Sequence, residues 1–168
     1  MSTELDEIMY GVMHDHFVGT FPRDKTPQTF DRYPCGFILN TDKSGKPGLH
    51  WVSFFKASLS DPWVFWDSYG LHPSVYGIPL PNSRVIRSTQ QVQCSDSVAC
   101  GEYCVFFLVH MFAHWSLHEI LNCFTKNCRK NDRFVVEFVN AKFQKHFRVF
   151  DKSVNQKAVD LSNVLRML

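Results

Sequence analysis

A cysteine at the start of an apolar helical pattern is the residue of this chain best suited to chemistry. Cys100 is followed by Gly101 and then by the apolar run Tyr103–Trp115. The first turn of a helix has free backbone N–H groups and the positive end of the helix dipole, and both favour an anion. A thiolate is such an anion, so this position favours a nucleophilic sulfur. Glycine at 101 has no Cβ, so backbone amides can approach a reacting carbonyl closely.

A cysteine nucleophile needs a base, and the base needs a third group that holds its tautomer. His50 and Asp67 offer an imidazole and a carboxylate, and each lies beside a strand-like run. Gln93 precedes the cysteine and can donate a side-chain N–H to the oxygen of the reacting carbonyl, which completes an oxyanion hole. Most cysteines in soluble proteins are small buried apolar residues, so Cys100 alone would indicate nothing. The combination of residues predicts nucleophilic catalysis.

The strands that carry the imidazole and the carboxylate are predicted to be consecutive. Trp51–Phe55 and Trp63–Trp66 are short runs rich in aromatic residues, separated by the turn Ser58–Pro62. If the two strands pair in the antiparallel sense, the start of the first lies beside the end of the second. We therefore expect His50 and Asp67 to face each other.

The rest of the pattern predicts an α+β fold, with a central mixed sheet packed against the buried helix that carries the nucleophile. Predicted helices are Thr3–His14, Gly101–Cys123, Asp132–Phe147 with Asp132 as its cap, and Val154–Leu168. Further strands are predicted at Cys35–Asn40 and Val85–Gln93, and irregular segments at Gly19–Pro34, Thr41–Gly48 and Leu71–Pro81. A chain of 168 residues with 45% hydrophobic content suits one domain, here residues 1–168.

Several short sequence motifs give the chain a resemblance to a known family. They are Asn40–Trp51, Asp67–Gly70, Ser88–Gln93, Ala99–Cys104 and Phe112–Trp115, with a weaker one at Gly19–Phe21. In this order they resemble the adenain-type cysteine endopeptidases of adenoviruses and the related SUMO-deconjugating proteases. The interval from Gln93 to Cys100 is similar to that of adenain and is one residue longer than is typical of the SUMO proteases.

The resemblance implies a papain-like, adenain-like fold and a protease whose substrates are viral precursor polypeptides of the virion or capsid. Cleavage is expected at small-residue sites of the Gly-Gly or Gly-X type. The implied catalytic residues are Cys100, His50, Asp67 and Gln93. The residues expected to line the substrate cleft are Trp51, Gly19 and Gly101. The carboxylate departs from the adenovirus enzymes, which usually have glutamate there, and agrees with the SUMO proteases.

Two other functions fit the same residues. A protease that removes ubiquitin-like modifiers would use the same chemistry on a folded substrate. A non-catalytic, protease-like module that binds nucleic acid would need no reactive cysteine. The reactivity of the thiol and cleavage of modifier-fused reporters separate these alternatives.

Basic residues crowd the last quarter of a chain whose net charge is only +2. The candidates for contact with nucleic-acid phosphates are Lys126, Arg129, Lys130, Arg133, Lys142 and Lys145. A solvated helical face gives the same pattern, and the charges alone favour that interpretation. The resemblance instead implies DNA as an activating cofactor, bound without sequence preference and sensitively to salt.

The chemistry itself is expected to require no metal or other cofactor. Adenovirus adenain is activated by a viral peptide tethered to a cysteine, but the comparable stretch Pro81–Arg84 contains none. Any activating peptide is therefore expected to bind non-covalently.

His110, His114 and His118 have the spacing of metal ligands on one helix face. No HExxH or CxxC motif accompanies them, so packed or surface histidines are favoured over a metal site.

The expected compartment bears on the six cysteines. The chain shows no signal peptide and no apolar run long enough to span a bilayer, so we expect a non-secreted monomer in the host nucleus or cytoplasm and in the virion. Reduced thiols are expected there. If Cys94, beside Gln93, is exposed, it is predicted to trap Cys100 as a disulfide when oxidised.

Overall fold

The computed structural model describes residues 2–78 and 84–148, without the side chains of Ser2, Thr3, Val12, His14 and residues 143–148. The predicted helix Val154–Leu168 lies outside the described residues. The helices are α1 (Ser2–Met13), α2 (Cys100–Phe112), α3 (Leu117–Asn122) and α4 (Cys128–Arg148). The strands are β1 (Phe17–Pro22), β2 (Cys35–Asn40), β3 (Trp51–Lys56), β4 (Trp63–Trp66) and β5 (Val85–Arg87). Short 3₁₀ turns occur at Arg23–Lys25 and Pro73–Tyr76, among others.

The five strands form one mixed sheet in the order β1-β2-β3-β4-β5. The central strands β2, β3 and β4 pair in the antiparallel sense, and β1 and β5 join the two edges in the parallel sense. Asn40 pairs with Trp51, and Ser53 pairs with Trp66. The start of β3 therefore lies at the same end of the sheet as the end of β2 and the end of β4.

Both faces of the sheet are buried, which explains why β2 and β3 lack polar alternation. Every residue of these two strands is buried. On one face, Ile38, Phe55 and Trp66 belong to a core cluster with α2. The stacking of Trp66 on Phe107, with ring centroids 5.3 Å apart, joins strand to helix. Helix α2 is apolar on nearly all sides, as predicted, because the sheet, α1 and α4 pack around it.

A second core cluster covers the other face of the sheet. It contains Phe37, Phe54 and Phe65, with Phe30 and Ile78 packed from connecting segments. Phe37 stacks on Phe54 with ring centroids 5.2 Å apart. Segments without regular structure therefore complete this layer, and aromatic side chains rather than a helix bury the second face of the sheet.

The predicted strands and helices differ from the structure in four places. The segment predicted as irregular from Gly19 to Pro34 contains most of β1, whose pairing with β2 is interrupted by a bulge between Phe17 and Gly19. A glycine at φ +136° and the closely spaced prolines conceal this edge strand from a search for periodicity. The prediction that one strand extends from Val85 to Gln93 is wrong beyond Arg87. The following residues turn across the end of the sheet, where the backbone N–H groups of Val92 and Gln93 donate to the backbone oxygen of Ser68.

The predicted helix Gly101–Cys123 is two helices. Helix α2 ends at Phe112, and His114 adopts φ +66°, which a continuous helix does not allow. Ser116 and Glu119 form a reciprocal capping box that starts α3. The Ser-x-x-Glu spacing was present in the sequence and indicates this break.

The prediction that Asp132 caps the last helix is also wrong. Helix α4 begins at Cys128, and the side-chain oxygen of Asn127 accepts from the backbone N–H of Lys130, as a capping residue does. Asp132 lies inside the helix, where its carboxylate faces the loop that carries Gln93.

Candidate active site

The antiparallel pairing of β3 and β4 brings the predicted base and its carboxylate together. His50 immediately precedes β3 and Asp67 immediately follows β4. Their side chains join through His50 Nε2 and Asp67 Oδ1 at 2.7 Å. The prediction that these strand ends are neighbours is confirmed by the register of the sheet. The contact is local to one strand pair and needs no distant loop to form it.

The carboxylate of Asp67 is fully buried and accepts four hydrogen bonds. Oδ1 accepts from the backbone N–H of Tyr69 at 3.0 Å as well as from His50. Oδ2 accepts from the backbone N–H of Leu71 at 2.9 Å and from the Tyr76 hydroxyl at 2.9 Å. Each oxygen thus has two donors, which offset the cost of burying the charge and fix the plane of the carboxylate.

His50 is enclosed by aromatic rings. Its ring centroid lies 4.7 Å from that of Tyr69 in a stacked arrangement and 5.6 Å from that of Tyr76. Burial alone would lower the pKa of His50, but hydrogen bonds and charges of Asp67 and Cys100 outweigh it and raise the pKa to about 9. The protonated imidazolium is therefore favoured at neutral pH.

The predicted nucleophile lies at the first position of α2. Cys100 is 7% exposed, and its Sγ lies 3.9 Å from the backbone oxygen of Val98. The sulfur lies near enough to the His50 side chain to contribute to raising the pKa of the imidazole. Because Nε2 of the imidazole is committed to Asp67, Nδ1 is the nitrogen left to face the sulfur. The helix N-terminus and an imidazolium both present positive charge to this position.

Gln93 is fully buried with its amide held at both ends. Its Oε1 accepts from the Ser68 hydroxyl at 2.6 Å, and its Nε2 donates to the backbone oxygen of Ser97 at 2.9 Å. A primary amide has two N–H donors, so this arrangement commits one of them to Ser97. The two contacts fix the position of the amide in the loop that leads to Cys100.

The residues on either side of Gln93 are attached to α2 and α4. The backbone oxygen of Val92 accepts from Asn131 Nδ2 at 3.0 Å and lies 3.1 Å from the Tyr103 hydroxyl. The backbone N–H of Cys94 donates to Asp132 Oδ1 at 3.4 Å. The sequence patterns gave no role to Asn131 and predicted Asp132 only as a helix cap, since nothing in a helical repeat shows that these two polar residues face inward.

A disulfide between Cys94 and Cys128 adds a covalent link between this loop and the start of α4. The expectation that all six cysteines are reduced is therefore wrong for this pair. So is the predicted trapping of Cys100 by Cys94, because Cys94 is bonded to a different partner. Cys35, Cys100, Cys104 and Cys123 are free thiols.

The predicted cleft residues occupy three different environments. Trp51 directly follows His50 and is 9% exposed, within the core cluster that includes α2. Gly101 faces α1, because a Cβ there would meet Leu5 Cδ2 at 3.2 Å. Gly19 lies on the edge strand opposite Phe37, which puts it two strands away from β3 and away from its His50 end. A role for these residues in substrate binding stays a prediction.

The basic residues proposed to contact DNA lie at the start of α4 and along it. Those with exposed side chains are Lys126, Arg129, Lys130 and Arg133. Arg129 forms an ion pair with Asp96, and Lys142 packs its ammonium 5.7 Å from the Phe138 ring centroid. The side chain of Lys145 lies outside the described part of the structure.

The three histidines predicted on one helix face are separated by the break after α2. His110 is buried and its Nδ1 bonds the backbone oxygen of Phe106 at 2.7 Å, whereas His114 lies in the connection and His118 on α3. Within residues 2–78 and 84–148, no group of three His, Cys, Asp or Glu residues could hold a metal ion. No helix in the same ranges is long and apolar enough to cross a membrane.

Comparison with known proteins identifies relatives among adenovirus enzymes. The family model described as adenovirus endoprotease matches residues 81–127. The protease of bovine adenovirus B serotype 3 is 30% identical over 153 residues, which cover 76% of this chain and 72% of that protein. The protease of ovine adenovirus D serotype 7 is 28% identical over 147 residues, covering 67% and 73% of the two chains.

The fold matches a solved viral enzyme. The crystal structure of the ASFV pS273R protease superposes with a TM-score of 0.50 at 16% identity, over 79% of this chain. The chain spans 63% of the length of that structure. The likeness supports the α+β, adenain-like architecture predicted from the sequence.

Proposed function

Because the chain belongs to the adenovirus protease family, we propose that it is a cysteine endopeptidase in which Cys100, His50 and Asp67 act together. The observation that carries this proposal is the buried contact between His50 Nε2 and Asp67 Oδ1 at 2.7 Å, beside a free cysteine at a helix N-terminus. A merely structural histidine would not need its second nitrogen directed at a thiol.

The reaction begins with the sulfur of Cys100 as a thiolate paired with the imidazolium of His50. The thiolate attacks the scissile carbonyl carbon, and the imidazolium then gives its proton to the leaving amine. Asp67 holds the ring throughout, so Nδ1 stays directed at the reacting centre. The now neutral imidazole takes a proton from a water molecule, whose oxygen attacks the thioester carbon. The sulfur leaves as a thiolate, so the acid product is released and the thiolate–imidazolium pair is restored.

Charge develops on the carbonyl oxygen during both steps. The backbone N–H of Cys100 and the remaining N–H of Gln93 are the donors we assign to this oxyanion. The contacts of the amide with Ser68 and Ser97 hold it before substrate binds, and a donor fixed in advance needs no reorganisation during the reaction.

The proposed substrates are viral precursor polypeptides cut at Gly-Gly or Gly-X sites, within the infected cell or the virion. A monomer is sufficient for this site, since all of the proposed catalytic side chains come from one chain. Three exposed basic residues near the start of α4, Lys126, Lys130 and Arg133, are proposed to contact DNA phosphates. Activation by DNA would then weaken steeply as salt increases.

The proposal is tested by a peptide-library cleavage profile, measured with and without DNA. The wild-type chain should cleave after small residues, and Cys100→Ala should abolish cleavage while leaving the melting temperature near that of wild type. Cys123→Ala, at a half-buried free thiol at the C-terminal end of α3, is the matched control. Equal activity of Cys100→Ala and wild type would disprove the assignment.

Deconjugation of ubiquitin-like modifiers remains the alternative that shares this chemistry. Asp67, the residue type of the SUMO proteases, is the observation that favours it. SUMO-fused and ubiquitin-fused reporters decide between the two. Rapid cleavage of those reporters, with none of unfolded Gly-Gly peptides, would replace the endopeptidase assignment.

A further inference from the structure

We propose that Tyr76 is a positioning residue of the catalytic centre, whose hydroxyl holds the Asp67 carboxylate in the orientation that directs His50 at Cys100. The inference rests on the proposed function, because it assigns a role to Tyr76 within that same site. It adds a fourth side chain to the three that the sequence motifs indicate.

The first step of the argument is the coordination of the carboxylate. Among the described residues, Tyr76 and His50 are the side chains that donate to Asp67, and they bond opposite oxygens. The torsion that turns a carboxylate about its Cβ–Cγ bond is broad, so the backbone alone sets it weakly. A donor on Oδ2 therefore fixes the direction in which Oδ1 presents its lone pairs to the imidazole.

The second step is the packing of the tyrosine ring. Its centroid lies 5.6 Å from that of His50, on a side chain that is itself partly buried. Burial, followed by the charge of Asp67, raises the pKa of Tyr76 above its usual value, so the hydroxyl keeps its proton and remains a donor. The same side chain thus contacts the base and bonds the residue that orients it.

The third step is the rigidity of the turn that presents the tyrosine. Pro73 and Ile78 are buried at either end of the turn, and the His72 side chain accepts from the backbone N–H of Ser74. The Arg23 guanidinium donates to the backbone oxygen of Tyr76 from the segment that follows β1. A turn held at these points can keep a hydroxyl in register with a carboxylate on another loop.

Sequence motifs do not identify Tyr76, because its turn belongs to the segment Leu71–Pro81, which is predicted from the sequence to be irregular. Asp67 reaches a shorter distance than the glutamate usual in adenovirus enzymes. Tyr76 bonds this shorter acid directly, and the proposal gives it no contact with substrate. We therefore expect the effect of losing the hydroxyl to be specific to the base and not to substrate binding.

The test compares Tyr76→Phe with Tyr33→Phe. Both tyrosines pack against the second core cluster, but Tyr33 precedes the start of β2, at the end of the sheet opposite Asp67. Tyr76→Phe should lower kcat roughly 10-fold with KM within about twofold, as expected for one hydrogen bond to a charged group that substrate does not touch. Tyr33→Phe should retain wild-type kinetics.

A spectroscopic measurement separates positioning from general destabilisation and does not depend on activity. In protein with ¹⁵N-labelled histidine, the Nε2 proton of His50 should give a downfield resonance that shifts or broadens in Tyr76→Phe and is unchanged in Tyr33→Phe. Arg23→Met, which releases the carbonyl of Tyr76 without touching the carboxylate, should move the same resonance by a smaller amount.

The outcomes are distinct. Wild-type kinetics with an unchanged resonance in Tyr76→Phe would overturn the inference, and so would a loss of kcat with no change in that resonance. If wild-type protein cleaves no peptide, the proposed function fails, yet the resonance still decides whether Tyr76 positions Asp67 and His50.

Discussion

The groups around the two ring nitrogens of His50 set the pKa of its imidazole. Nε2 bonds a buried carboxylate, and the nearby sulfur of Cys100 also acts on the imidazole. Both contacts favour the imidazolium and overcome the effect of burial. The consequence at the scale of the residue is a base that stays protonated well above the usual range of histidine.

The first prediction concerns pH. The pKa of His50 is raised from 6.5 to about 9, so the stabilisation from its protonated form is fully present below pH 6.5 and is lost as pH rises through about 9. We expect kcat/KM to fall on the alkaline side near pH 9, as a macroscopic value of the thiol–imidazole pair. Asp67→Asn should move that limb to lower pH. An alkaline limb at the same pH in both proteins would contradict the argument.

The second prediction concerns Gln93. Its replacement by alanine removes the proposed side-chain donor to the oxyanion, so kcat should fall by roughly 10²–10³ while KM changes little. Gln90→Ala, at an exposed glutamine of the same loop, is the control and should retain activity. Steady-state kinetics on a Gly-Gly peptide measure both. A change confined to KM would assign Gln93 to substrate binding instead.

The positions of His50 and Asp67 were predictable because adjacent strands place them together. One turn and one strand pairing are enough to bring two strand ends into contact. Asn131, Asp132 and Tyr76 were not predictable in the same way. They approach the site from a later helix or an irregular turn, and their register depends on packing between distant segments.

At the scale of elements, the break between α2 and α3 depends on a capping box. The Ser116 hydroxyl accepts from the backbone N–H of Glu119, and the Glu119 carboxylate accepts from the backbone N–H of Ser116. Apolar periodicity continues across this break, which is why it predicts one long helix. The hydrogen bonds of the capping box and the left-handed backbone conformation of His114 divide it into two helices instead.

The third prediction follows from that cap. Ser116→Ala should reduce the free energy of unfolding by about 1 kcal/mol, because two backbone donors lose their partners or their alignment. Ser95→Ala, at an exposed loop serine, should change it by less than about 0.5 kcal/mol. Urea denaturation measures the difference. Equal losses in the two variants would show that the cap contributes little.

The fourth prediction concerns the bond between Cys94 and Cys128, which joins the Gln93 loop to α4. A sequence separation of 34 residues gives an expected stabilisation of about 3–4 kcal/mol from the restricted unfolded chain. Cys128→Ser should therefore melt at a lower temperature without reductant, and a dithiol should lower wild type to the same value. Cys123→Ser is the control thiol. A wild-type melting temperature that does not change when reductant is added would contradict the presence of the disulfide.

At the scale of the whole molecule, the fold depends on close contact between the sheet and α2. A Cβ at Gly36 would lie 2.8 Å from Leu108 Cδ2, so the strand and the helix approach as closely as a glycine permits. The class of fold was predictable from composition and the order of elements. This close approach was not, since a glycine in a strand gives no indication of what packs against it.

The fifth prediction tests that contact. Gly36→Ala should destabilise the protein by about 1–3 kcal/mol, because the added methyl must displace the leucine or the strand. Displacement of α2 would also move Cys100, so activity at a permissive temperature should fall with stability. Calorimetry and peptide cleavage on the same samples measure both. Unchanged stability would show that the core accommodates the methyl group.

The central claim is that Cys100 reacts as a thiolate because His50 and a helix N-terminus stabilise its charge. The rate of alkylation by iodoacetamide, followed for each cysteine by mass spectrometry across pH 5 to 9, tests it most directly. We predict that Cys100 is alkylated much faster than Cys123 at pH 6–7 and that His50→Ala removes the difference. Alkylation of Cys100 that rises with pH in parallel with Cys123, in wild type as in the variant, would contradict the claim.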